Sequence, residues 1–192
     1  MDDEAAKKTL QKYLQEARDA LVWKLDGLSD YDVRRPLTPT GTNLLGLVKH
    51  MTLVEAGYFG DVFGRPYTEK LLWWDEETAE PNADMFATAD ESREDLVEGY
   101  KQTWVHADAT IDALPLDATG TVSWWRQPTV SLHQILVHVA TEAHRHAGHA
   151  DIVREEIDGA AGLRSDNSNL PDQDAAWWAA YLERVEAEAR KV

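Results

Sequence analysis

The segment Ser131–Glu155, SLHQILVHVATEAHRHAGHADIVRE, decides how this chain is read. Its apolar residues recur at three- and four-residue intervals, the period of an amphipathic helix and not of a strand. Within it, Thr141–Asp151 (TEAHRHAGHAD) crowds three histidines and a glutamate into one stretch. At about 100° per residue, with Glu142 as origin, Ile135, Val139 and Val153 fall within about 60°, which marks that side as the buried face. His146 lies at about +40° and His149 at about −20°, on the same face, with His138 on its flank. His144 and His133 fall near 200° and 180°, nearly opposite, and are expected in solvent.

The same period runs through three further long segments, expected at roughly 4–28, 43–63 and 90–114, with the histidine helix at roughly 131–157. No segment alternates as a strand does, so the fold class is all-α. The second helix has Thr42 or Asn43 as its cap and stops at Gly64 and Pro66. About 26 residues separate it from the third, far more than antiparallel neighbours need, which implies a crossover along a bundle. A short last helix opens at Pro171, and its Trp177, Trp178 and Tyr181 are expected to cover the bundle. Residues 1–192 are expected to form a single domain.

Composition excludes several functions. Nineteen Lys and Arg stand against 35 Asp and Glu, a net charge of −16, so nucleic acid and anionic membrane surfaces are not expected partners. There is no cysteine, so any thiol in the chemistry must arrive as a small molecule. The amino terminus is acidic with no hydrophobic signal core, and no apolar run approaches the roughly 18 residues of a membrane span. A cytoplasmic location is expected. Three tryptophan pairs, at 73–74, 124–125 and 177–178, sit near loops or helix starts. They either cap the ends of a bundle or wall an aromatic substrate pocket.

A carboxylate on a buried face needs a partner. For Glu142 that partner is an Arg or Lys of a neighbouring helix or a metal ion shared with His146, since Glu-x-x-x-His places two donors one turn apart. His50, in NLLGLVKHMTLVEAGYF, also faces inward, within about 60° of Leu47, Val54 and Gly57. Two imidazoles and one carboxylate are the usual protein ligands of a catalytic zinc ion with an open position. A polar core without metal is the competing reading. A di-iron carboxylate centre would need paired Glu-x-x-His motifs, which the chain lacks.

The stretches LLGLVKHMTLVEAGYF and SLHQILVHVATEAHRHAGHADIVRE resemble the DinB-like superfamily of metal-binding four-helix bundles. The nearest branch is an actinobacterial type of unknown function, related to mycothiol-dependent maleylpyruvate isomerases and bacillithiol transferases, and the likeness covers roughly residues 5–160. It implies an up-down-down-up bundle with a long connection between the second and third helices. It places the family's metal ligands on His50, Glu142 and His146, with Glu142 following the isomerase pattern, and it gives His149 a role beside them in catalysis. The metal implied is divalent, zinc first, with nickel, iron or manganese as alternatives. A low-molecular-weight thiol of mycothiol type is the implied cosubstrate, a small electrophile its acceptor, and related bundles form homodimers. The isomerase has a further carboxy-terminal domain for which 192 residues leave no room, so the maleylpyruvate reaction is not expected. A non-catalytic metal-binding stress protein is the alternative to a thiol-dependent transferase.

Overall fold

The structure is a computed structural model that describes residues 3–68, 71 and 79–192, so the Trp73–Trp74 pair lies outside the described residues. The order is α1 (Asp3–Trp23), α2 (Asp30–Arg34), α3 (Leu44–Phe59), a single 3-10 turn (Asp61–Phe63), α4 (Arg93–Ala113), β1 (Thr119–Thr121), β2 (Thr129–Ser131), α5 (Leu132–Asp158) and α6 (Ala175–Ala189). The all-α class is borne out, and the four long segments are α1, α3, α4 and α5.

Local chemistry sets the boundaries. The Asn43 side chain accepts from the Gly46 amide at 2.8 Å, Ser92 caps α4 and Ser131 caps α5 in the same way, and Gly159, at φ 79°, ends α5 in the left-handed conformation. Two boundaries differ from expectation. Helix α1 stops at Trp23, because the carbonyls beyond it are taken by arginines from other helices: Arg154 bonds Lys24 and Asp26, each at 2.8 Å, and Arg93 bonds Leu25 and Leu28. Helix α3 stops at Phe59 and hands over to the 3-10 turn, which Gly64 closes at φ 64°.

Two elements are additions. The five-residue α2 is capped by Ser29, and β1 pairs antiparallel with β2 in a small hairpin. Gly120 of that hairpin lies so close to Val62 and Phe63 that a Cβ there would overlap them. The hairpin leads directly into α5, with the Leu132 and His133 amides bonded to the Ala118 and Leu116 carbonyls, both at 2.9 Å.

Helix α1 packs on α5, and α3 packs on both α4 and α5. Between them Leu14, Leu21, Leu47, Val48, Met51, Ile111, Leu136 and Val139 are buried. Each such side chain contributes about 1.5–3 kcal/mol through removal from water. Helix α6 buries no residue. Its Trp177 and Tyr181 stack on each other, with centroids 5.4 Å apart, and stay 37% and 36% exposed, so the expected covering of the bundle by this helix is not what forms. No helix among the described residues is long and apolar enough to cross a membrane.

Candidate functional site

The buried face of α5 includes Ile135, Val139 and Val153, as expected, and extends over Leu132, Leu136, Ala140, Ala143, Ala147, Ala150 and Arg154. Its centre lies about 90° from Glu142, a quarter turn from where the large apolar residues alone put it. Glu142, His146 and His149 therefore sit on the edge of that face, on the side of α3. Their burial follows this position: the side chains of His146 and Glu142 are 12% and 35% exposed, and His149 is exposed.

Opposite them on α3 stands His50. Its ring meets that of His146 edge-on, with centroids 4.9 Å apart, and His149 follows with its ring 5.4 Å from His146. Glu142 Oε2 is 3.5 Å from His146 Nε2, near enough for Coulomb attraction and too long for a strong hydrogen bond. The other ring nitrogen of His146, Nδ1, is buried with no hydrogen-bond partner. Burial, and then the neighbouring His50, push the pKa of His146 down to about 4 against the pull of Glu142. At pH 7 it is therefore a neutral imidazole with a free lone pair.

His144 corrects the expectation that it is solvated. It is half-buried on the opposite edge of α5, and its Nε2 lies 3.1 Å from the Tyr13 carbonyl of α1. His133 is exposed, as expected. His138, one turn before Glu142, packs edge-on against Tyr58 and Trp125, each centroid 4.8 Å away, and Trp124 joins Tyr58 at 5.7 Å. The second tryptophan pair thus packs where the end of α3 meets the first turns of α5, around Tyr58 and His138.

Two features lie outside the sequence reading. Asp84, from the connection between α3 and α4, places Oδ2 2.6 Å from His50 Nδ1. The pair is separated by 34 positions, and no local motif signals it. On another face of α3, Glu55 is fully buried and bonded by Arg18 and by the Tyr100 hydroxyl.

Among the described residues, no set of three His, Cys, Asp or Glu groups is arranged to hold a metal ion as it stands. In kind, the donors fit a divalent ion: two neutral-capable imidazoles facing each other, a carboxylate one turn away, and an orphaned buried nitrogen. Gathering them would require side-chain rotation.

Fold and site together define an all-α protein with imidazole and carboxylate groups collected between two packed helices. The chain belongs to the mycothiol-S-transferase family, which it matches over residues 9–159, a span that includes His50, Asp84, Glu142, His146 and His149 and ends with α5. This bears out the DinB-like resemblance. Among solved structures it is similar to a conserved protein from Enterococcus faecalis, with a TM-score of 0.62 and 16% identity over 80% of this chain and 97% of that one, a likeness of fold. No curated protein matches the chain.

Proposed function

We propose that this protein is a divalent-metal-dependent transferase that joins a low-molecular-weight thiol of mycothiol type to a small electrophile. The observation that carries this reading is the meeting of His50 and His146 at 4.9 Å with a buried His146 nitrogen left unpaired, in a chain of the mycothiol-S-transferase family. His50, Glu142 and His146 would hold the ion, zinc first. When bound, such an ion lowers the pKa of a thiol as it does that of water.

The chain's own residues supply the rest. With no cysteine present, the nucleophilic sulfur is the cosubstrate's. His149, exposed beside His146, accepts the thiol proton, and the thiolate forms the new C–S bond while the electrophile releases its leaving group. Tyr58, Trp124 and Trp125, gathered around His138 one turn before Glu142, would present aromatic surface to an electrophile.

The same reading takes residues 1–192 as one unit of up-down-down-up order. Supporting it, Lys7 near the start of α1 reaches Leu114 at the end of α4, while Arg93 at the start of α4 reaches Leu25 and Leu28 beyond α1. Contacts between α3 and α4 advance together, Lys49 with Glu91 and Glu55 with Tyr100. So do those between α1 and α5, Tyr13 with His144 and Lys24 with Arg154.

The test is elemental analysis of untagged protein with a screen of mycothiol against alkylating electrophiles. One divalent ion per chain, metal-dependent turnover, and loss of the ion in His50→Ala and His146→Ala are expected. Undiminished metal in both variants would overturn the ligand assignment, and bound metal without turnover would return the chain to the non-catalytic binding reading.

A further inference from the structure

We propose that Asp84 is a positioning residue of the site, which fixes the orientation of His50 and selects the ring nitrogen that it offers. An ionised carboxylate only accepts hydrogen bonds, so the 2.6 Å contact puts a proton on His50 Nδ1. In the neutral ring the lone pair is then on Nε2, which leaves that nitrogen to act as donor toward the site.

The backbone is built to keep Asp84 there. A turn with Asn82 in the left-handed region (φ 64°) is closed by Ala83 N to Glu80 O at 3.0 Å and Met85 N to Asn82 O at 2.9 Å. The residues that follow are seated on α3. The Asn43 amide donates to the Met85 carbonyl at 3.0 Å, and Lys49 Nζ donates to the Phe86 carbonyl at 3.0 Å and pairs with Glu91 at 2.8 Å. Between them, Gly46 lets the Met85 carbonyl press onto the helix, where a Cβ would overlap it. Positions 43, 46 and 50 follow one stripe of the helix, so the docking that anchors Met85 also brings Asp84 under His50. Both members are mostly buried, His50 at 26% and Asp84 at 19% exposed, which shields their contact from competing water.

The tautomer part of this proposal stands by itself, and the affinity part rests on the metal reading above. Imidazole 15N–1H correlation spectra of metal-free protein at pH 8 should show His50 carrying its proton on Nδ1. In Asp84→Ala the proton should move toward Nε2, and Asp84→Glu should restore part of the original population. Zinc affinity, measured by competition with a chromophoric chelator, should fall about 10–100-fold in Asp84→Ala. A His50 already protonated on Nε2 in the wild type, or a tautomer unmoved in Asp84→Ala, overturns the proposal. An equal zinc affinity in wild type and Asp84→Ala overturns its affinity part. If the wild type takes up no zinc, the metal reading falls while the spectra still decide the role of Asp84.

Discussion

Helix α3 carries two polar groups into the protein on different faces, and their surroundings are opposite in kind. Glu55 is completely enclosed and completely answered: Arg18 Nε and Nη2 approach it at 3.0 and 2.6 Å, and Tyr100 donates at 3.0 Å. Arg18 Nη1 donates to Gln15 and Asp108, at 3.1 and 3.0 Å. Five residues earlier, His50 stands in a group that is partly exposed and incompletely paired, with His146 Nδ1 buried and unbonded. Buried charges that are paired and hydrogen-bonded across helices hold those helices in place. Groups that leave a lone pair unused in a half-buried cleft are poised for a ligand. Trp104 Nε1, on the ring packed against Tyr100, is also buried and unpaired, but an indole nitrogen carries a proton and no lone pair for a ligand, whereas a neutral imidazole keeps one.

The sharpest way to break this contrast is to remove Arg18. Arg18→Met leaves the Glu55 carboxylate buried without its cation, and stability in urea at pH 7 should drop by about 3–5 kcal/mol. Burial already pushes the Glu55 carboxyl above its usual range, against the pull of Arg18, and in the variant that pull is gone. The folded variant therefore binds a proton more readily than the unfolded chain, so its deficit should shrink as pH falls. A loss under about 1 kcal/mol would show that the network is not a structural element of this weight.

The histidine group should respond to acid in the opposite sense. In the unfolded chain His146 takes up a proton near pH 6.5, and in the folded protein only near pH 4. Between those values the unfolded state binds more protons, so stability is retained above pH 6.5 and lost as pH falls toward 4. The loss in metal-free protein should be on the order of 3 kcal/mol, since each pH unit that separates the two protonations is worth about 1.36 kcal/mol. Measuring unfolding against pH for wild type and His146→Gln isolates the contribution, since the variant lacks the titrating ring. Parallel curves across that range would mean that His146 is not held neutral by its burial.

What was legible in the sequence divides along the same physical line. The long helices and the cap at Asn43 are local, written in period and in one or two residues, and they form as expected, although α1 and α3 end a turn early. The hairpin and α2, at three residues per strand and five, are too short to carry a period. The residues of the candidate site were readable, since His50, Glu142 and His146 do come together across α3 and α5. Their angular phase on the helix was not. The face of α5 is built largely on Ala140, Ala143, Ala147 and Ala150, small side chains that weigh little in a hydrophobic pattern but occupy its buried surface. Partners from distant segments, Asp84 for His50 and Arg18 for Glu55, leave no mark in either local sequence.

The corrected phase makes the smallest and most specific prediction, at His144. This side chain lies two residues from both Glu142 and His146, yet it occupies the opposite edge of α5 and bonds the Tyr13 carbonyl on α1. His144→Ala removes one partly exposed hydrogen bond, worth about 0.5–1.5 kcal/mol. Alanine's higher helix propensity returns up to about 0.7 kcal/mol of that. The net change in stability should thus stay within about 1 kcal/mol, and metal content and turnover should match the wild type. The same substitution at His146, two positions on, should abolish metal binding. If His144→Ala loses the metal as well, the edge of α5 that faces α3 has been wrongly assigned, and the separation of the helix into an α1 side and a ligand side fails with it.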